Sequence, residues 1–257
     1  CQFFQSMKNI FFKSLFFLYS YLSTIIENSF FKKKKIHNEL NQVGFYKNKL
    51  KTKNNYNNYI EKKVFVNPFF EKIIINEKHI SKIINNIFTE NFIKEKLFEI
   101  TGFNYSIDFF LAYSTYNINK VDLKKDIYAN HWHRDKPFSE NTLKIIIPIE
   151  EISNNHGPME IISIKESKKL NTSSNLKNID FENKFTLTGN TEDIFYFLPN
   201  LCYHRAGIPT LGLSRSQIMF QLNPANKWKY SSNLYRKQYS IEPKFPLFNL
   251  MDEYKLI

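Results

Sequence analysis

Near Thr101 the hydrophobic pattern of this chain changes period, and no other feature restricts the fold as much. Before it, the segment KIIINEKHISKIINNIFTENFIKEKLFEI (Lys72 to Ile100) repeats apolar residues at helical spacing, which predicts two helices. After it the apolar residues gather in short runs divided by turn residues. The candidate strands are Ser106–Tyr113, Leu143–Ile149, Glu160–Ile164, Lys184–Leu187, Asp193–Phe197 and Ser214–Leu222. Gly157, Gly189, Gly207 and Gly212 fall between them, where turns are needed. Helices followed by many short strands predict a mainly β chain with flanking helices: an antiparallel sandwich or barrel with a helical layer on one side. No internal repeat is evident.

A chain of 257 residues can bury a real core in one large domain or two small ones. At 42% hydrophobic and 17% aromatic it is too apolar to be disordered. Its 36 basic against 24 acidic residues give +12. Only four of the basic residues are arginine (Arg134, Arg205, Arg215, Arg236), so 32 are lysine. The lysines are spread along the chain without a nucleic-acid-binding motif, so the charge is read as compositional drift and no nucleic acid partner is expected. Cys1 and Cys202 lie far apart, which excludes a disulfide framework or a zinc module and fits a reducing, cytoplasmic setting.

Residues 1–60 read as an amphipathic helix followed by a polar linker, with Met7 a candidate start. The run IFFKSLFFLYSYLSTII (Ile10 to Ile26) is too short and too polar for a membrane span, and no small-residue cleavage site follows it. One reading is an interfacial helix making peripheral membrane contact through residues 10–35, with Lys32 to Lys35 as a basic flank. The other, which we favour here, is a helix that packs on the following domain. Residues 36–60 are rich in asparagine and lysine and read as loop. Residues 61–257 read as one unit: a helical layer over 61–100, a β core over about 101–225, and a C-terminal extension over 226–257.

Four of the six histidines lie between positions 131 and 204. In Asn130-His-Trp-His-Arg-Asp135, residues two apart on an extended strand share a face, so His133 and Asp135 can converge on one point. His131 and His133 can do the same. A third ligand must come from elsewhere, and His204 in Leu201-Cys-Tyr-His-Arg-Ala-Gly207 is the best candidate. Two histidines and a carboxylate on one side of a metal leave three positions open, the arrangement that suits non-haem Fe(II) in oxygenases. The bland alternative is a histidine hydrogen-bonded to an acid. Arg215 opens a clean alternating strand with Gln217 and Met219 on its face. An arginine inside a barrel needs an anionic partner, and guanidinium grips a carboxylate bidentately where lysine acts as a point charge. In a chain this poor in arginine, its use there marks a position where lysine does not suffice.

Taken together, His133-x-Asp135, a distant His204 and Arg215 eleven residues later resemble the phytanoyl-CoA dioxygenase (PhyH) type of Fe(II)/2-oxoglutarate dioxygenase. Trp132, the run Leu143-Lys-Ile-Ile-Ile-Pro148 and the turn Asn155-His-Gly-Pro-Met159 add to the resemblance, which covers roughly residues 100–225. It implies a double-stranded β-helix (a jelly-roll, cupin-like barrel) with an N-terminal helical layer. It further implies that His133, Asp135 and His204 bind iron, that Arg215 binds the far carboxylate of 2-oxoglutarate, and that O2 is the oxidant. The implied reaction hydroxylates an aliphatic carbon of a small substrate, releasing succinate and CO2. The chain departs from the pattern at Ala206, where many relatives carry a serine that helps hold the cosubstrate, and at Ser163-Ile-Lys-Glu-Ser167. Tyr113, Ser114 and Thr115 are the candidates for a further cosubstrate contact.

Phe138, Phe195 and Phe197 are candidate pocket walls, though aromatics at strand spacing are more often core. Arg134 and Arg205 read equally as binders of an anionic substrate group or as salt-bridge partners. Two other classes compete. A non-catalytic cupin-like binding protein would lack a ligand or the arginine. A zinc hydrolase would need a placed general base and would have no use for Arg215.

Overall fold

The structure, a computed structural model, describes residues 2–33, 39–51, 55–135, 138–170, 181–234 and 254–257. Helix α1 (Gln2–Phe30) leads to α2 (Glu39–Val43), β1 (Phe45–Lys49), a 3-10 turn (Tyr56–Tyr59) and the hairpin of β2 (Ile60–Asn67) and β3 (Phe70–Ile75). Next come α3 (Glu77–Asn85), a π turn (Asn86–Glu90) and α4 (Ile93–Thr101). The β region holds β4 (Asn104–Tyr116), β5 (Leu143–Pro148), β6 (Glu160–Ile162), the short helix α5 (Ile164–Lys169), β7 (Lys184–Thr186) and β8 (Asp193–Phe197). It closes with β9 (His204–Arg205), β10 (Ser214–Ala225), β11 (Lys229–Ser231) and β12 (Tyr254–Leu256).

Among the described residues these strands form a large sheet in the order β1-β8-β5-β10-β4-β11-β12, with β3 also on β4, and a small sheet in the order β7-β6-β9. This is the jelly-roll architecture. Register decides which residues look inward, because directly paired residues share a face. On β10, Arg215, Gln217, Met219 and Gln221 pair with Thr115, Tyr113, Leu111 and Phe109 of β4. Lys144 and Ile146 of β5 stand opposite Gln221 and Met219 on one side and Phe197 and Phe195 of β8 on the other. This polar-and-aromatic face lines the barrel interior. The opposite face is apolar: Phe220 packs at a tilt against Phe110, 5.3 Å between ring centroids, and meets Phe88 from the π turn edge to face. The helical layer of α3 and α4 buries Ile80, Ile83, Ile84 and Leu97 into the same core.

Several boundaries differ from expectation. The 36–60 segment supplies α2, β1 and the 3-10 turn in its described part, and β1 pairs antiparallel with β8 from Phe45↔Phe197 to Lys49↔Asp193. Its half-exposed FYKNK pattern carries little signal of its own, and the ladder comes from a distant partner. The 61–100 layer opens with the β2–β3 hairpin, so Lys72–Ile75 is strand and not helix. β3 is buried along its whole length, and a run buried on both faces has no period to separate strand from helix. β6 stops at Ile162, where Ser163 caps α5 by accepting a hydrogen bond from the Glu166 amide. Lys34, Lys35, Arg236 and most of the C-terminal extension lie outside the described residues.

Helix α1 does pack on the barrel, but through polar residues. Ser20 donates to the Phe138 carbonyl at 2.7 Å and accepts from Asn200 at 2.8 Å. Thr24 Oγ1 accepts from the Glu140 amide at 2.9 Å. Glu27, 8% exposed, accepts from Ser139 at 2.5 Å and Asn141 at 3.1 Å. Burial pushes the Glu27 carboxyl up to about 7, against the pull of Ser139 and Asn141. The folded protein therefore keeps a proton that the unfolded chain has released. This contribution to stability is present below about pH 4.5 and is lost as the pH rises through about 7. Glu27→Gln keeps an acceptor without the charge. It should leave the melting temperature nearly unchanged at about pH 5 and raise it by roughly 4 °C at about pH 8.5; an equal shift at both pH values would contradict this account.

Candidate metal centre

The backbone brings the two histidines together before their side chains contribute. His133 and His204 form an isolated antiparallel bridge, the His133 amide donating to the His204 carbonyl at 3.0 Å and the His204 amide returning to His133 at 2.9 Å. Such a pair projects both side chains to one side, and the ring centroids lie 4.4 Å apart. β9 is held in turn by β6, with Ile161 opposite His204. The Asp135 amide donates to the Pro199 carbonyl at 2.9 Å, just beyond β8. Asp135 is thereby set beside the histidine pair.

The donor atoms of His133, Asp135 and His204 all lie within 4.8 Å of one another. Asp135 Oδ1 is 3.4 Å from His133 Nε2 and 3.6 Å from His204 Nε2. Metal bonds of about 2.1 Å at right angles would place neighbouring donors about 3 Å apart, so a small inward movement suffices. Each ring's Nδ1 faces a backbone carbonyl: His131 O at 2.8 Å for His133, and Cys202 O at 3.0 Å for His204. A carbonyl can only accept, so Nδ1 carries a proton in each ring and Nε2 is the nitrogen that faces inward. Phe197 takes an edge-on position 5.0 Å from the His204 ring and walls the site.

One participant escaped the sequence reading. Lys144 of β5, 7% exposed, forms an ion pair with Asp135 Oδ2. One carboxylate oxygen is thus held by Lys144 while the other faces the imidazoles. The available signal was a lone lysine inside the apolar run Leu143-Lys-Ile-Ile-Ile-Pro148. Burial opposes charge on Asp135, but Lys144 and the two imidazoles outweigh it and hold the carboxyl well below its ordinary range. Burial, with His133 alongside, pushes His204 down to about 4. Burial also works against His133, yet Asp135 and the His131 carbonyl prevail and raise it.

Arg215 is 1% exposed and sits on the same inner face. Its Nη1 donates to the carbonyls of Gly157 and Gly207. Both glycines are required: a Cβ on Gly157 would meet Pro209 N at 2.3 Å, and one on Gly207 would meet Pro158 O at 2.3 Å. The close approach of these two loops brings both carbonyls to one guanidinium nitrogen. Arg215 Nε and Nη2 have no hydrogen-bond partner among the described residues, nor has Thr115 Oγ1 directly across the register. Tyr113 Oη accepts from Gln217 Nε2 on the same face and keeps its own proton to donate. Ser114 points the other way, to Ser216 Oγ at 2.9 Å. A buried cation with two free donors, flanked by a free hydroxyl, can receive a carboxylate-sized anion.

The remaining candidates fall elsewhere. His131 Nε2 contacts the Leu123 carbonyl at 3.2 Å, and His156 caps a short turn with Ser153. Arg205 pairs with Glu160 at 2.5 Å and lies over Trp132, and Arg134 lies over Tyr203; both serve the small cluster of Trp132, Ile162 and Tyr203. Phe195 and Phe197 line the interior, while the Phe138 carbonyl anchors α1. A divalent metal entering this site must displace the proton on His133 but finds His204 already neutral. The logarithm of the Co(II) dissociation constant should fall by about one per pH unit between about pH 5 and about pH 6; a slope near two would contradict the assignment of His204 as neutral.

No family model matches the sequence, and no curated protein sequence matches it. Solved structures do match. The non-heme alpha ketoglutarate dependent epimerase SnoN from nogalamycin biosynthesis aligns over 72% of this chain and 80% of its own, at 14% identity and a TM-score of 0.51. HygX from Streptomyces hygroscopicus, with nickel, 2-oxoglutarate and hygromycin B bound, aligns over 74% of this chain and 86% of its own, at 11% identity and a TM-score of 0.49. The likeness to SnoN is one of fold: this chain is built on the jelly-roll barrel that SnoN also uses.

Proposed function

We propose that this protein is an Fe(II)- and 2-oxoglutarate-dependent oxygenase that hydroxylates an aliphatic carbon of a small organic molecule. The observation that carries the reading is a pairing within one barrel interior: a two-histidine, one-carboxylate donor set and a buried arginine with two free donors. The donor chemistry fits ferrous iron, since two neutral imidazoles and one carboxylate leave room for a bidentate keto acid and O2. SnoN, which shares the fold and is described as alpha ketoglutarate dependent, agrees with this choice.

In this reading His133, His204 and Asp135 Oδ1 hold the iron, and Lys144 keeps Asp135 Oδ2 away from it. A carboxylate bound through one oxygen preserves the open positions. Iron and 2-oxoglutarate, once bound, supply the oxidation of a C–H bond coupled to release of succinate and CO2. Arg215 takes the distal carboxylate of the cosubstrate through Nε and Nη2. Thr115 Oγ1 adds the hydroxyl contact that Ala206 cannot make, and Tyr113 Oη adds another donor. Phe197, Ile146 and Met219 exclude water from the inner wall. A zinc hydrolase has no need of a buried anion site beside its metal.

The test is anaerobic purification, addition of Fe(II), and measurement of succinate formed from 2-oxoglutarate on exposure to air. His204→Ala should abolish turnover. Arg215→Lys keeps the charge but loses the paired donors, and should raise the apparent KM for 2-oxoglutarate about 10- to 100-fold. Iron-dependent decarboxylation that survives both substitutions would overturn the site assignment.

A further inference from the structure

Helix α1 is amphipathic in the wrong sense for a helix that only covers a core. Its inward residues are Ser20, Thr24 and Glu27, each hydrogen-bonded to the 138–141 segment or Asn200. Its outward side carries Leu15, Leu18, Leu22 and Ile25, spaced three and four apart, with Phe17 and Tyr21 beside them. These side chains are between 42% and 67% exposed. A contiguous apolar surface on a helix whose polar side is already satisfied marks an interaction face.

Charge indicates what covers it. Apart from the buried Glu27, every charged residue from position 1 to 35 is a lysine: Lys8, Lys13 and the run Lys32 to Lys35. Two copies joined through α1 would bring together surfaces of like charge. An anionic lipid surface complements both the apolar side and the lysines. Among the described residues no helix is long and apolar enough to cross a membrane, which fits a helix lying in the surface.

We propose that α1 docks this protein on the surface of an anionic bilayer, its apolar side at the headgroup–acyl boundary, with the lysine-only charge of this stretch of sequence complementing the lipid. This proposal is independent of the metal centre.

The experiment is co-sedimentation of the full chain with vesicles of phosphatidylcholine alone or with about one-third phosphatidylserine. Binding to the anionic vesicles should be at least about tenfold stronger, and should weaken as salt is raised. The double substitution L18N/L22N changes only exposed positions and leaves the charge untouched. It should reduce binding about tenfold or more with an unchanged melting temperature. Binding that is indifferent to L18N/L22N would reduce the interaction to adsorption of a basic protein and overturn the proposal. So would no binding at all. A wild-type dimer in light scattering that L18N/L22N dissociates, without vesicle binding, would assign the face to a second copy instead.

Discussion

The two backbone hydrogen bonds between His133 and His204 are the constraint on which the site depends. They join a loop ahead of β5 to the two-residue strand β9, across 71 positions of sequence, and leave both rings on one side. Neither residue lies in a long strand. The small sheet supplies the stiffness, because β9 is laddered to β6 and β6 to β7. The carbonyls of His131 and Cys202 then set the tautomers. Geometry and tautomer are therefore arranged by main-chain groups, which side-chain substitution elsewhere disturbs little.

Arg215 is positioned by a different economy. Burying a guanidinium without a partner is costly, and the chain offsets part of that cost with two carbonyls while leaving two nitrogens open. Glycine at positions 157 and 207 is what permits the loops to approach, so the Gly-Pro turn and the segment after His204 hold Arg215 as well as turning between strands. Lys144 makes the complementary arrangement on the metal side by occupying one oxygen of Asp135. Of the positive charges on the inner face, Lys144 is thus directed at a carboxylate of the protein, while Arg215 keeps donors open to a carboxylate from outside.

The legibility of these features in the sequence varied for physical reasons. His133 and Asp135 could be found because any extended backbone puts residues two apart on one face. Arg215 stood out against the lysine-rich background, and that same background hid Lys144, whose importance lies in burial and not in residue type. The choice among Tyr113, Ser114 and Thr115 turns on register, which depends on a partner strand 100 residues away. It places Tyr113 and Thr115 inward and Ser114 outward. β1 and β3 were missed because one draws its structure from β8 and the other is buried on both faces. The inside-out packing of α1 is invisible to composition, since the same residues make an amphipathic helix whichever side faces the barrel.

In the proposed function one interior holds a metal at His133, Asp135 and His204 and an oxo-acid carboxylate at Arg215. The most direct measurement is a crystal structure of the protein loaded with Fe(II) and 2-oxoglutarate without oxygen. Iron should lie on those three side chains, with Lys144 still on the free oxygen of Asp135 and the distal carboxylate paired with Arg215 Nε and Nη2. Iron bound elsewhere, or 2-oxoglutarate bound away from Arg215, would contradict it.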